Sequence, residues 1–444
     1  MPSIFKAYDI RGIYGADLTD AAAYDIGRAF ATFLGGAGRN IVIGRDCRPH
    51  SEPLFTALSN GLRDQGFNVV DLGYASTPMT YHAGGKLRAD GSVMITASHN
   101  TKEWNGFKFC RENAIPVSGA TGIDKIEKII LEKSFAPKAE TRGTLASRDI
   151  APDYAAFIHT FPRPVRKLRV AADYANGMGV LEAKPLQGIL DLDPLFETLD
   201  GSFPNHEANP IHHETLKDLQ AKMKSGAYDF GIAFDGDADR VGFLDERGEV
   251  ISMDLITALI AQEVLAIQSG PVYYDLRSSR AVKETIAACG GTPLMSRVGH
   301  SFIKQQMRER NALFAGELSG HYYFKANYTA ESAALAVLFV ANIVARAGAT
   351  PLSRIVEPLR RYFPSGEINT RVTRDPQQIL AEIKAAHPAS NVFELDGVSV
   401  EFPDWWCNVR CSNTEPLVRL NLEATTQAIM EEKRADLLRI INGK

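Results

Sequence analysis

Cross-linking has almost no material to work with in this chain. Five cysteines are scattered over 444 residues, at Cys47, Cys110, Cys289, Cys407 and Cys411. Their number is odd and no two form a Cys-x-x-Cys pair, so a disulfide framework and a cysteine-based metal knuckle are both excluded as expectations. Reduced thiols in a cytoplasmic protein are the plain reading. Long apolar runs are missing as well. The most apolar stretch, Ala333 to Ala345, falls well short of the roughly 20 residues a membrane span needs. It reads as a buried helix. The first residues, Met1-Pro2-Ser3-Ile4-Phe5-Lys6, have no apolar core of the signal-peptide kind. Basic surplus is absent too: Lys and Arg total 49 against 53 Asp and Glu, a net charge of -4. That argues against a nucleic-acid surface but leaves room for a few local cations around a small anionic substrate.

What the chain does have is ordinary core-forming material. Hydrophobic residues make up 45% and charged residues 23%, the balance of a globular protein. The length implies roughly three domains. Helical periodicity runs over 20–35, with Ala23, Ile26, Ala29, Phe30 and Phe33 on one side. Strand-like segments alternate with helical ones: strand 40–44, helix 53–65, strand 68–72, strand 91–96. Similar units follow at 168–172, 230–234, 271–274 and 313–315. Such alternation predicts a mostly parallel, doubly wound arrangement, in which ligands gather at the carboxyl ends of strands. From Gly366 onward the pattern changes to short strands and a charged final helix. We therefore expect three βα-rich domains, at 1–147, 148–251 and 252–365, and a smaller α+β domain at 366–444.

Each unit delivers a polar segment just past a strand, and four of these carry chemistry. Asp235-Gly236-Asp237-Ala238-Asp239-Arg240 places three carboxylates on alternate residues. Three such anions repel unless a cation lies among them, and a hard ion such as Mg²⁺ prefers oxygen ligands. An EF-hand loop fails here because Arg240 stands where its sharp turn needs glycine. Ser98, in Thr96-Ala97-Ser98-His99-Asn100, offers a nucleophilic hydroxyl. As a mere helix cap it leaves unexplained the polar crowd behind it, Asn100, Lys102, Asn105 and Lys108. Adjacent side chains point apart, so His99 is not assigned as the base for Ser98. In Gly316-Glu317-Leu318-Ser319-Gly320-His321, Glu317 and Ser319 alternate and can face vicinal sugar hydroxyls. Arg410-Cys411-Ser412-Asn413-Thr414 joins a planar guanidinium to small hydrogen-bonding side chains, a nest suited to phosphate. His300 follows a strand-like stretch and is a candidate acid or base.

These four segments, in this order, resemble the α-D-phosphohexomutase superfamily, specifically its phosphomannomutase/phosphoglucomutase group. The likeness runs from Tyr8-Asp9-Ile10-Arg11-Gly12 to the loop at 412–416, and it implies that the fold is three related mixed-sheet α/β domains plus the smaller C-terminal α+β domain around a central cleft. It implies that Ser98 is phosphorylated and that Asp235, Asp237 and Asp239 hold Mg²⁺ together with a Ser98 phosphoryl oxygen. It implies sugar contacts from Glu317 and Ser319, and a phosphate clamp of Arg410, Ser412, Asn413 and Thr414. Arg11, Lys108, Arg240, His300 and His321 match positions lining the family's active site, and Arg277 stands where some members have lysine. Arginine stays protonated, so an acid/base role does not transfer to it. Thr101 stands where the serine loop usually carries proline. Thr329-Ala330-Glu331-Ser332 replaces an Asp-rich stretch of many members. The activity implied is interconversion of hexose 1- and 6-phosphates, mannose before glucose, with hexose 1,6-bisphosphate as intermediate and activator. The expected partners are small hexose phosphates, with neither nucleic acid nor membrane, and the expected state is a monomer or small homo-oligomer. A phosphohydrolase with a phosphoserine intermediate and a non-catalytic sugar-phosphate or divalent-ion binding protein are the alternatives.

Overall fold

A computed structural model describes residues 4–388, 391–411 and 417–443. Four sheets organise the chain. In the first, strands Asn40–Arg45, Asn68–Tyr74 and Gly91–Ile95 run parallel, while Ile10–Ile13 and Trp104–Arg111 are antiparallel members at one edge. In the second, Arg169–Asp173 pairs in parallel with Phe230–Phe234, which turns back antiparallel into Val241–Leu244. In the third, Pro271–Asp275 lies between parallel strands Thr292–Ser296 and Phe314–Gly316, and the latter pairs antiparallel with Tyr322–Phe324. The fourth sheet is antiparallel throughout, from Phe363–Arg371 through Leu417–Ala424 and Trp405–Cys411 to Asn391–Phe393. Three mixed α/β layers and a smaller C-terminal α+β domain are thus the architecture, and the sheets are less purely parallel than strand–helix alternation alone predicts. The difference comes from hairpins such as Phe230–Leu244, which need only a short turn and add an antiparallel edge.

Local sequence explains most boundaries. Helix Asp20–Leu34 starts at Thr19, whose hydroxyl accepts from Ala22 N, and stops at Gly35 in the left-handed region (φ 68°). Helix Ala333–Arg346 is apolar on all sides and buried over Ala333–Ala345, the arrangement of a helix enclosed by its own molecule. Among the described residues, no helix is long and apolar enough to cross a membrane.

The cores are distributed unevenly. The second and third sheets share one continuous core that includes Phe230, Ile232, Ile256, Val272 and Val337. The face of the first sheet carrying Ile41, Ile43, Val93 and Phe107 packs on its own helices. The fourth sheet has a separate core built from Val400, Trp405, Leu420 and Leu437. It is joined to the third domain by Arg280, which donates to the backbone carbonyls of Pro403 and Trp405.

Candidate active site

The carboxyl ends of strands Gly91–Ile95 and Phe230–Phe234 bring residues 98 and 235 together. The Ser98 hydroxyl donates to Asp235 Oδ2 at 2.9 Å across a sequence separation of 137. Ser98 is non-glycine with φ 53°, a left-handed conformation that persists only where surroundings impose it. This twist also brings His99 Nδ1 to 3.2 Å from Ser98 Oγ, so the two adjacent side chains converge instead of pointing apart. Extended backbone separates neighbours; the left-handed turn does not.

The three aspartates are buried and their carboxylate oxygens converge within 4.8 Å of one another. Lys108 Nζ reaches Asp237 Oδ2 at 2.7 Å and Asp239 Oδ2 at 2.5 Å. Burial works against its charge, but the two aspartates override this and hold Lys108 well above the usual lysine range. Asp235 is pushed upward by burial and by its two acidic neighbours, and Asp239 is held down, against burial, chiefly by Lys108. Asp237 Oδ1 is buried with no hydrogen-bond partner. An anionic trio that carries a buried, unpartnered oxygen fits a hard divalent cation.

The remaining candidates lie around this trio. Arg11 donates to Asp9 Oδ2 at 2.7 Å and Asn100 Oδ1 at 2.6 Å, beside the serine loop. Arg240 Nε lies 3.7 Å from Asp235 and 3.3 Å from His321 Nε2. A backbone bridge between Arg240 and His321 ties the acidic loop to the 316–321 loop. His321 sits 3.3 Å from Asp239 and 3.2 Å from Glu317. Burial disfavours its charge, but Asp239 and Glu317 prevail and raise it to about 9. Glu317 also accepts from Tyr323 OH at 2.5 Å and Gly299 N at 3.2 Å, and Ser319 Oγ lies 2.8 Å from His321 Nδ1. So Glu317 and Ser319 converge on the His321 ring as well as sharing a loop.

His300 begins helix His300–Glu309. Burial, then the Lys304 and Lys108 charges, keep it neutral, and its Nδ1 has no hydrogen-bond partner. Tyr8 from the first domain packs edge-on against it, 5.6 Å between ring centroids. Glu331 lies 3.9 Å from His300 Nδ1 and 2.7 Å from Lys304 Nζ. Arg277 is locked on Asp275 at 2.7 Å, and Arg410 on Glu367 at 2.5 Å. Glu367 also stands 3.8 Å from Arg277, so one carboxylate of the fourth domain links both arginines. Ser412, Asn413 and Thr414 lie outside the described residues.

Two participants escaped the sequence reading. Thr77 donates to Asp237 Oδ2 at 2.5 Å, yet Ser76-Thr77-Pro78 reads only as a helix start. Glu367 sits on a solvent-edged strand with no motif around it.

Family models agree with this organisation. Residues 2–137 match alpha/beta/alpha domain I of phosphoglucomutase/phosphomannomutase, 152–248 domain II, 252–362 domain III and 367–440 the C-terminal domain. The chain belongs to the phosphoglucomutase/phosphomannomutase family. It is 38% identical to a phosphomannomutase of Escherichia coli (strain K12), covering 99% of this chain and 98% of that protein. It is 37% identical to a phosphoglucomutase of Neisseria gonorrhoeae over 96% of this chain and 94% of that one. A crystal structure of a phosphoglucomutase/phosphomannomutase family protein from Burkholderia thailandensis superposes with a TM-score of 0.90 at 34% identity, covering 98% of this chain and 96% of that chain. The protein is a phosphohexomutase, an enzyme of carbohydrate metabolism acting on sugar phosphates, and it places in the α-D-phosphohexomutase superfamily.

Proposed function

We propose that this phosphohexomutase interconverts hexose 1- and 6-phosphates, mannose first and glucose second, through a phosphoserine at Ser98 and a hexose 1,6-bisphosphate intermediate. The phosphoserine P–Oγ bond breaks as a new P–O bond forms to the free hydroxyl of a bound hexose monophosphate. The hydroxyl's proton passes to His300, a neutral imidazole with an unpartnered nitrogen, and Ser98 Oγ leaves as an alkoxide. The bisphosphate then turns end for end, the Ser98 alkoxide takes its other phosphoryl group, and His300 returns the proton to the sugar oxygen so freed, so one phosphorylating site serves both directions.

Asp235, Asp237, Asp239 and Ser98 are the ligands for Mg²⁺, which when bound neutralises charge on the transferring oxygens. Lys108, Arg11 and Arg240 carry the remaining positive charge toward the same point. Glu317, Ser319 and His321 meet the sugar hydroxyls. Arg410, with Ser412, Asn413 and Thr414, clamps the phosphate that does not react, and Arg277 assists through Glu367. The four-part division at 147, 251 and 365 assigns one of these tasks to each part. The separate core of the fourth part suits a lid that closes over the intermediate and excludes water. A cytoplasmic monomer or small homo-oligomer needs no further partner for this cycle.

The observation that carries this reading is the 2.9 Å contact between the Ser98 hydroxyl and Asp235. A nucleophile touching the cation-seeking carboxylates is what phosphoryl transfer requires. The test is incubation with mannose 1-phosphate and catalytic bisphosphate. Mannose 6-phosphate as the main product supports a mutase, whereas free phosphate as the main product makes it a hydrolase. Intact-mass spectrometry should also show a phosphate adduct that disappears in Ser98→Ala.

A further inference from the structure

The serine loop is held from behind by a residue that none of the assignments above includes. Arg48 is fully buried, and its guanidinium serves the loop's own backbone. Nη2 donates to Ser98 O at 2.9 Å and Asn100 O at 2.7 Å. Nη1 donates to Thr101 O at 2.7 Å and Trp104 O at 3.1 Å. Nε completes the fork on Asp46 Oδ2 at 3.1 Å. Four carbonyls of a tight loop point inward, where an unpaired carbonyl is costly, and one planar cation collects them.

The far side of Arg48 belongs to the second domain. The Phe203 ring lies 4.9 Å from its guanidinium carbon. Gly201 packs so closely that a Cβ there would stand 2.4 Å from Arg48 Cα. The acidic loop closes the sandwich: a Cβ on Gly236 would stand 2.4 Å from Ser98 O, the same oxygen that accepts from Arg48. The carbonyl of residue 98 is therefore pinned between a domain-one guanidinium and the backbone of the carboxylate loop. This is the external constraint that a left-handed, non-glycine Ser98 needs. It also replaces stiffness that Thr101 does not supply, since threonine leaves φ free where proline would fix it.

We infer that Arg48 is a positioning residue for phosphoryl transfer: it acts on the Ser98 hydroxyl through the loop backbone and fixes its distance from the aspartate trio without touching substrate. The inference rests on the phosphoserine reading above. Lysine cannot replace it, because an ammonium has three donors with no planar fork, against five bonds made here.

The test compares Arg48→Ala and Arg48→Lys with the parent enzyme, reading kcat, KM, thermal unfolding and the Ser98 phosphate adduct. Both variants should keep KM within about twofold while kcat falls roughly a hundredfold, the scale of a small misplacement of a reacting group. Guanidinium at a non-denaturing concentration should restore part of kcat in Arg48→Ala, and ammonium should not. Should the alanine variant fail to fold, the lysine variant carries the test alone. A folded Arg48→Lys enzyme within about threefold of the parent kcat, less than 1 kcal/mol of barrier, would overturn the inference. So would ammonium rescuing as well as guanidinium. A parent enzyme with no Ser98 adduct overturns the phosphoserine reading and this inference with it. An intact adduct with unimpaired Arg48 variants overturns the inference alone.

Discussion

Ser98 and Asp237 make different demands on one small volume. On the proposed mechanism the serine supplies the oxygen that changes partners, and its removal leaves nothing to carry the phosphoryl group. Ser98→Ala should fold with an unaltered unfolding temperature and retain less than about a hundredth of the parent kcat, as expected when a sole nucleophile is lost. Asp237 supplies an oxygen with no donor of its own while its other oxygen is taken by Thr77 and Lys108. Asp237→Asn keeps the shape and removes a charge from the trio. The Mg²⁺ concentration for half-maximal activity should rise at least tenfold, the scale set by weaker changes around metal ligands. An unchanged activation curve would take the acidic loop out of the mechanism.

Helices of the first domain show how much depends on residues with no side chain. Asp20–Leu34 and Ser51–Asp64 cross at Gly27 and Gly61. A Cβ on Gly27 would stand 2.3 Å from Leu58 O, and one on Gly61 would stand 2.1 Å from Tyr24 O. The contact is reciprocal and backbone to backbone. Gly61→Ala gains about 1 kcal/mol of helix propensity but meets a carbonyl that cannot step aside, and overpacking costs about 1–3 kcal/mol. Crowding should win: urea unfolding of Gly61→Ala should shift to lower concentration, with kcat unchanged in the folded enzyme. The apolar periodicity of the first helix is plain in the sequence because burial of one face requires it. The glycine crossing is not, because only the pairing of two helices gives those glycines a partner.

At the scale of the molecule, three domains meet on one buried carboxylate. Glu182 of the second accepts from Ser76 Oγ of the first at 2.6 Å, from Tyr154 OH at 2.7 Å and from Ala334 N of the third at 2.9 Å. Burial raises its carboxyl from the ordinary 4.5 to about 7, against those three hydrogen bonds. A folded-state value above the unfolded one means the folded protein binds this proton more tightly. Its stabilising effect is therefore complete below about pH 4.5 and is lost as pH rises through about 7. Glu182→Gln cannot titrate, so its unfolding temperature relative to the parent should climb between pH 5 and about pH 7 and level off above it. A flat difference would refute the assignment.

The sequence by itself determined which elements form and which segments carry polar chemistry. Helical and strand periodicities follow from burial of one face, and Ser98, the aspartate trio, Glu317 and Arg410 stand out because their four segments occur together and in this order, each alone having other uses. What only the tertiary structure decided is what those segments touch. Thr77 on Asp237, Glu367 between Arg277 and Arg410, Arg48 beneath the serine loop and the left-handed turn that swings His99 toward Ser98 all depend on contacts between distant stretches of chain. Local pattern records the faces a segment must bury; the partner across a domain boundary is set by packing of the whole, and no window of neighbouring residues contains it.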